Sequence, residues 1–290
     1  MTGRSLFLLV PLSLAACSSD SFTSPDDGGA DVSLDSPVGD SATDTLSDSV
    51  APPLDGGGDA VLVDAGWKPP PPLVCGSAPS DEIFCADFDG SNDPSAGWSS
   101  AFKLNGDVTI DLTQFYSGPR AAKTVALGNP ASYGNLYKNS TNGTSTHFVL
   151  SFAFRVDGVD TAATVRVSNF AYLASTGPFG NVGFDVVVGP GPGVGLTVSA
   201  PLGDAGVSVS GINLGSYVTG KWHHVVLDVK VKPSVAVETS FDGAKQTFSP
   251  NVPAASSQYL NRDITLGARA LTDMAVPATI QIDDVLLRAL

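Results

Sequence analysis

The chain has 290 residues, 42% of them hydrophobic and only 15% charged, with a formal net charge of −14. Twenty-nine acidic residues against 15 basic ones provide no cationic surface for a phosphate backbone, which excludes nucleic acid as a partner. The acidity is local: eleven aspartates and no Lys or Arg fall between residues 18 and 66, whereas 18 acidic and 14 basic residues share the stretch from 67 onward.

The first element in chain order is Arg4, followed by the apolar core Leu6-Phe7-Leu8-Leu9-Val10-Pro11-Leu12-Ser13-Leu14 and the small residues Ala15-Ala16. This core is shorter than the roughly 20 apolar residues a spanning helix needs, so residues 1–16 read as a secretory signal cut before Cys17. The run Leu14-Ala15-Ala16-Cys17 resembles the lipobox of bacterial lipoproteins, in which the cysteine sulfur receives a diacylglycerol. The resemblance implies a lipid-anchored chain attached to the membrane through Cys17. Ser18 stands where an aspartate would retain such a protein at the inner membrane, which implies the outer membrane or cell surface. An ordinary leader with an incidental cysteine is the alternative.

Residues 17–72 follow, with Asp-Gly-Gly, Ser-Pro and Pro-Pro runs and too little apolar content to offset the entropy of ordering. They predict a disordered acidic tether with an end-to-end distance of about 40 Å, lengthened by self-repulsion. Its aspartates never settle into the spacing of a calcium loop. Lys68-Pro69-Pro70-Pro71-Pro72 then predicts a stiff polyproline lead-in.

From 73 to 290 helical periodicity is nearly absent and two-residue alternation is frequent. Phe148, Leu150, Phe152, Phe154 and Val156 share one face of a strand, with His147, Ser151, Arg155 and Asp157 on the other. Similar patterns predict strands at 83–89, 108–112, 121–127, 163–173, 182–188, 194–199, 222–232, 235–241, 264–267 and 278–287. Turn signals such as Asp157-Gly158, Asp204-Ala205-Gly206 and Asp242-Gly243 separate them. The expected fold class is all-β, one two-sheet antiparallel sandwich with no second domain. Cys75 and Cys85, in an exported chain, predict a disulfide that clips the lead-in to the first strand.

Five segments carry a family resemblance: Phe84-Cys85-Ala86-Asp87-Phe88-Asp89-Gly90, Trp222-His223-His224-Val225, Glu238-Thr239-Ser240-Phe241-Asp242-Gly243, Ile264-Thr265-Leu266-Gly267 and Ile282-Asp283-Asp284-Val285. In this order they resemble the concanavalin A-like, laminin-G-like jelly rolls. The resemblance implies that the first and last strands are neighbours and that the partner is a glycan or an envelope or extracellular protein.

Within the last strand Ile280 and Ile282 share one face while Val285 and Leu287 would fall on the other, so a β-bulge at Asp283-Asp284 is expected. If the first and last strands pair, Asp87, Asp89, Asp283 and Asp284 converge, and a structural calcium is the expected relief of their repulsion. Relatives of the fold often hold calcium there; the alternative is that these aspartates cap turns and face water. His223 is expected in the core and Trp222 and His224 on the opposite face, an arrangement that does not favour a shared zinc ion. His147 is expected to be solvated.

Catalytic signals are sparse. The two glutamates, Glu82 and Glu238, do not form the Glu-x-Asp-x-x-Glu pattern of jelly-roll glucanases, and no Gly-x-Ser-x-Gly elbow occurs. Tyr116, Tyr133, Tyr137, Tyr172, Tyr217 and Tyr259 are placed in or near loops and strand ends. The segment 132–144, with Tyr133, Asn135, Tyr137 and Asn139 and with Asn142 beside them, is the preferred recognition surface; an ordinary polar hairpin is its alternative. The expected function is non-catalytic binding. A polysaccharide-active hydrolase or lyase and a structural envelope component are the alternatives.

Overall fold

Each apolar row of the alternating segments is buried against a second sheet. The computed structural model describes residues 68–75, 82–140, 145–173, 181–201, 207–252 and 262–290. The signal segment, Cys17, nearly all of the acidic tether, Asn142 and Tyr259 lie outside the described residues, and Ala60–Leu290 forms one compact unit. Among the described residues there are fifteen strands and no helix.

One sheet contains β1 (Glu82–Ala86), β3 (Gly106–Asp111), β4 (Ala121–Ala126), β6 (His147–Gly158), β11 (Trp222–Lys230), β12 (Ala236–Phe241), β13 (Ala244–Phe248) and β15 (Ala278–Ala289). Its order is β13-β12-β11-β6-β15-β4-β3, with β1 paired to the far half of β15. The other contains β2 (Ser100–Leu104), β5 (Tyr133–Ser140), β7 (Val165–Leu173), β8 (Asn181–Val188), β9 (Gly193–Pro201), β10 (Val207–Ser216) and β14 (Arg262–Ala270). Its order is β10-β9-β8-β7-β14-β5-β2. Every described pairing is antiparallel. The expected two-sheet sandwich is the observed one, and its first and last strands are neighbours.

The core lies between the sheets. Phe148, Leu150, Phe152 and Phe154 of β6 meet Phe170 and Tyr172 of β7 and Phe184 of β8, all essentially without exposed surface. Each such side chain contributes about 2 to 3 kcal/mol by leaving water. In β15, Asp283 stands opposite Ala153 and Leu286 opposite Ser151, so two residues face one across β6. Asp284 takes the left-handed conformation, with φ of 48°. This bulge returns Val285 and Leu287 to the core beside Ile280 and Ile282.

Two sheets ordinarily stack about 10 Å apart. Where β3 and β4 meet β5 and β14 they touch backbone to backbone. A Cβ on Gly134 would stand 2.0 Å from the Asp107 carbonyl oxygen, and one on Gly106 would stand 2.5 Å from that of Tyr133. Within the second sheet, Gly267, with φ of 136°, leaves 2.3 Å between such an atom and the oxygen of Gly134 on the paired strand. These glycines form a pinch that closes one margin of the sandwich.

The structure adds four strands that apolar alternation does not reveal: β2, β5, β10 and β13. The segment 132–144 is therefore corrected: Tyr133–Ser140 is β5, an inner strand, rather than a loop or hairpin. Its inward positions are Gly134 in the pinch, Leu136 in the core and Lys138, which reaches the Gly97 carbonyl at 2.7 Å, so only one of the three is apolar. The other three are edge strands, wet along one margin.

Candidate functional site

The lead-in is fastened to the bulge of β15. Cys75 and Cys85 are joined by a disulfide with Cα atoms 5.6 Å apart. The Leu73 amide donates to Asp284 Oδ2 at 3.0 Å, and the Cys75 amide to Asp87 Oδ2 at 3.2 Å. Asp283 Oδ2 accepts from the Tyr116 and Ser117 amides, its Oδ1 accepts from the Asp284 amide, and the Ser117 hydroxyl donates to Asp284 Oδ1.

Within the cluster the Asp87 charge raises Asp89 and Asp284, and the Asp284 charge raises Asp89 and Asp283. Burial first, then Asp87, raises the Asp89 carboxyl. Burial raises Asp284, with Asp87 adding to it. Asp89 Oδ1 is buried without a partner, and its carboxyl occupies the space a side chain at Gly118 would fill. Asp283 differs: burial pushes it up to about 8 against the three amides that favour its charged form. Among the described residues no group of three or more His, Cys, Asp or Glu side chains is arranged to hold a metal ion. Most of the carboxylate oxygens are answered by backbone amides.

The three histidines lie on β6 and β11, in the same sheet as that bulge. His223 is buried, accepts at Nε2 from the Val218 amide at 2.9 Å and donates from Nδ1 to Asp242 at 2.6 Å. His224 stands on the opposite face with Trp222, under the Tyr116 ring at centroid distances of 6.5 and 5.9 Å. Burial lowers the His224 pKa. Burial, then Asp284, Asp242 and Asp283, pushes Tyr116 up to about 12. His147 is not simply solvated: its Nε2 pairs with Asp228 at 2.6 Å across the β6 and β11 register. That partner is 81 positions away, so local spacing does not reveal it.

The outer face of the second sheet is different in kind. Register sets Ser100, Tyr137, Thr265, Asn169, Asp185, Thr197 and Gly211 directly opposite one another across all seven strands. Directly paired residues share a face, so this is one polar row about 29 Å long. A flanking row runs Asn139, Asp263, Ala171, Gly183, Ser199 and Val209. The other flank is Leu104, Tyr133, Arg269, Arg166, Val187, Gly195 and Asn213. Together they make a floor with its own bonding. Tyr137 Oη donates to Asp263 Oδ1 at 3.0 Å, and Asn139 Nδ2 donates to the same oxygen at 2.6 Å. Asp185 Oδ1 accepts from Arg166 Nη1 at 3.1 Å and from Asn169 Nδ2 at 2.7 Å. At the β8 to β10 end, the missing side chains of Gly195 and Gly211 leave an open hollow of about 320 Å³ edged by Val187 and Asn213.

The structure thus brings Tyr133, Tyr137 and Asn139 onto this floor. Asn135 shares their phase but is buried, with its amide nitrogen 3.1 Å from the Gly134 carbonyl and 3.3 Å from that of Ala268, so it braces the bulge of β14. Tyr172, near the end of β7, and Tyr217, just past β10, do lie at strand ends, but both are buried in the core and present no ring to a ligand. Phe102, missed because β2 is an edge strand, is 46% exposed and its ring lies 5.4 Å from that of Tyr137. Arg166, Arg269, Asp185 and Asp263 were missed as well, since only long-range register unites them.

The floor carries no histidine and no glutamate. Burial first, and Asp263 with it, raises the Tyr137 pKa, which disfavours it as a base. Two strand spacings and two residues put the Cα atoms of Asp185 and Asp263 about 12 Å apart. Both carboxylates are engaged as acceptors within the floor, Asp185 by Arg166 and Asn169 and Asp263 by Tyr137 and Asn139.

No family model and no curated protein matches the sequence. Among solved structures, the chain is similar to an endo-β-1,4-glucuronan lyase from the fungus Trichoderma reesei, at 18% identity over 72% of this chain and 96% of that one, with a TM-score of 0.55. It is also similar to the cellulose induced protein Cip1, at 18% identity over 71% and 97% of the two chains, with a TM-score of 0.49. The lyase likeness shows a shared jelly-roll sandwich.

Proposed function

We propose that the floor of the second sheet binds an extended glycan without cleaving it, in a laminin-G-like module held outside the cytoplasm by lipid on Cys17. The single observation that carries this reading is the unbroken polar row from Ser100 to Thr197, with the rings of Phe102 and Tyr137 in contact at one end. Sugars are held by aromatic faces and by amide, hydroxyl and carboxylate groups, and the floor offers each of these. The glucuronan lyase shares the architecture. Hydrolysis is disfavoured because Asp185 and Asp263 are each engaged by two side-chain donors within the floor, and Tyr137 is itself one of those donors. The lipobox-like run at Cys17 supports the anchor and the cell-surface location. A glycan array probed with the mature chain is expected to return a defined set of oligosaccharides, with affinity falling about 3- to 10-fold in Phe102→Ala. Release of reducing ends or unsaturated products from a bound polysaccharide would replace this reading with an enzymatic one.

A calcium ion beside Asp87, Asp89 and Asp284 belongs to the same proposal. Its support is the unpartnered Asp89 oxygen and the raising of Asp89 and Asp284 by burial and by neighbouring carboxylate charge. Melting is expected to move upward by several degrees with calcium over chelator. An unchanged midpoint means that amide donors alone stabilise the cluster.

A further inference from the structure

Two arginines face each other on the floor. Register places Arg166 of β7 directly opposite Arg269 of β14, and like charges in that position repel. One carboxylate answers them, and only in part. Asp185 Oδ1 pairs with Arg166 but is also taken by Asn169, and both side chains of that ion pair are largely buried, at 17% and 15% exposure. Arg269 has no ion pair among the described residues. Its guanidinium lies 5.9 Å from the Tyr133 ring centroid, and its Nε is buried without a hydrogen-bond partner. A buried donor left unmade costs about 1 to 3 kcal/mol, more for a charged group, so this arrangement lowers stability unless something else answers it.

The surroundings say what that something is. Val187, next in the row beyond Arg166, edges the hollow left by Gly195 and Gly211, so that hollow begins one strand away from Arg166 on the same face. Guanidinium forks match the two oxygens of a carboxylate in plane, and the Tyr133 ring stands beside them as a face for a sugar. From the facing pair, the unpartnered Nε and the Tyr133 ring beside it we propose that Arg166 and Arg269 form a subsite for a carboxylate-bearing sugar, which makes the ligand an acidic, uronate-type glycan. The proposal rests on the glycan reading of the floor and deepens it.

The test compares binding of an oligouronate with its carboxyl-reduced, neutral counterpart by titration calorimetry, using the mature chain and Arg269→Gln. The acidic oligosaccharide is expected to bind at least about tenfold more tightly than the neutral one, and Arg269→Gln is expected to abolish that preference. In the absence of ligand Arg269→Gln is expected to melt no lower than the parent, because it removes a like-charge neighbour; a merely structural arginine would give a lower midpoint. Equal binding of acidic and neutral forms, an unchanged preference in the variant, or tighter binding of a sulfated polymer than of the uronate overturns the carboxylate subsite and leaves the glycan reading intact. Failure to bind any member of a broad glycan array overturns both.

Discussion

Two histidine-aspartate pairs of the same length, 2.6 Å, show how burial decides what a contact contributes. His223 is 2% exposed, and its two nitrogens serve the Val218 amide and Asp242. Because Nε2 accepts from an amide, the ring is neutral with its proton on Nδ1. Deleting it leaves a buried donor and a carboxylate without their partner, at about 1 to 3 kcal/mol each. His147 and Asp228 keep access to water, where such a pair contributes less than about 1 kcal/mol. Chemical denaturation is therefore expected to place His223→Ala about 2 to 5 kcal/mol below the parent and His147→Ala within about 1 kcal/mol of it. Equal losses would mean that pair length, not burial, sets the contribution. The placement of His223 was legible in its alternation with Val225, Leu227 and Val229; its acceptor and donor were not, since a loop amide and a hairpin aspartate bring them from outside the strand.

At the scale of the element, β5 combines the pinch with the floor. Gly134 lets the backbones of the two sheets meet, while Tyr133 and Tyr137, one position before it and three after it, project outward. Adding one methyl at Gly134 presses on the Asp107 carbonyl at 2.0 Å, and backbone does not yield as a side chain does. Gly134→Ala is expected to cost about 1 to 3 kcal/mol or more by thermal or urea unfolding. Gly90→Ala, with no atom within 4 Å of the added carbon, is the control, expected within about 0.5 kcal/mol of the parent. A neutral Gly134→Ala would show that the sheets part without loss there. The same strand explains the limits of sequence reading. Strands such as β6 and β11 declare themselves through an apolar row; β5 does not, because its inward positions hold a glycine for close approach and a lysine that reaches out past the Phe84 ring, 4.9 Å away. Its outward residues, Tyr133, Tyr137 and Asn139, were still legible as candidates by chemistry alone.

For the whole molecule, the all-β sandwich, the adjacency of first and last strands and the bulge at Asp283-Asp284 were all legible, because burial forces a period and a phase error forces a correction. The floor was not. Its seven-residue row draws one side chain from each of seven strands, and nothing local in the chain relates Ser100 to Gly211. The way the chain enters the sandwich has a mechanical consequence as well. A pull on the polypeptide ahead of residue 68 reaches Cys75 and crosses the disulfide to Cys85 within β1, so the nine residues between them, about 30 Å of contour, never come under tension. The load then passes to the β15 ladder, near the centre of the first sheet. The second sheet lies outside that path, so a domain held by its N-terminal side can bear drag through one layer while the opposite layer keeps its register.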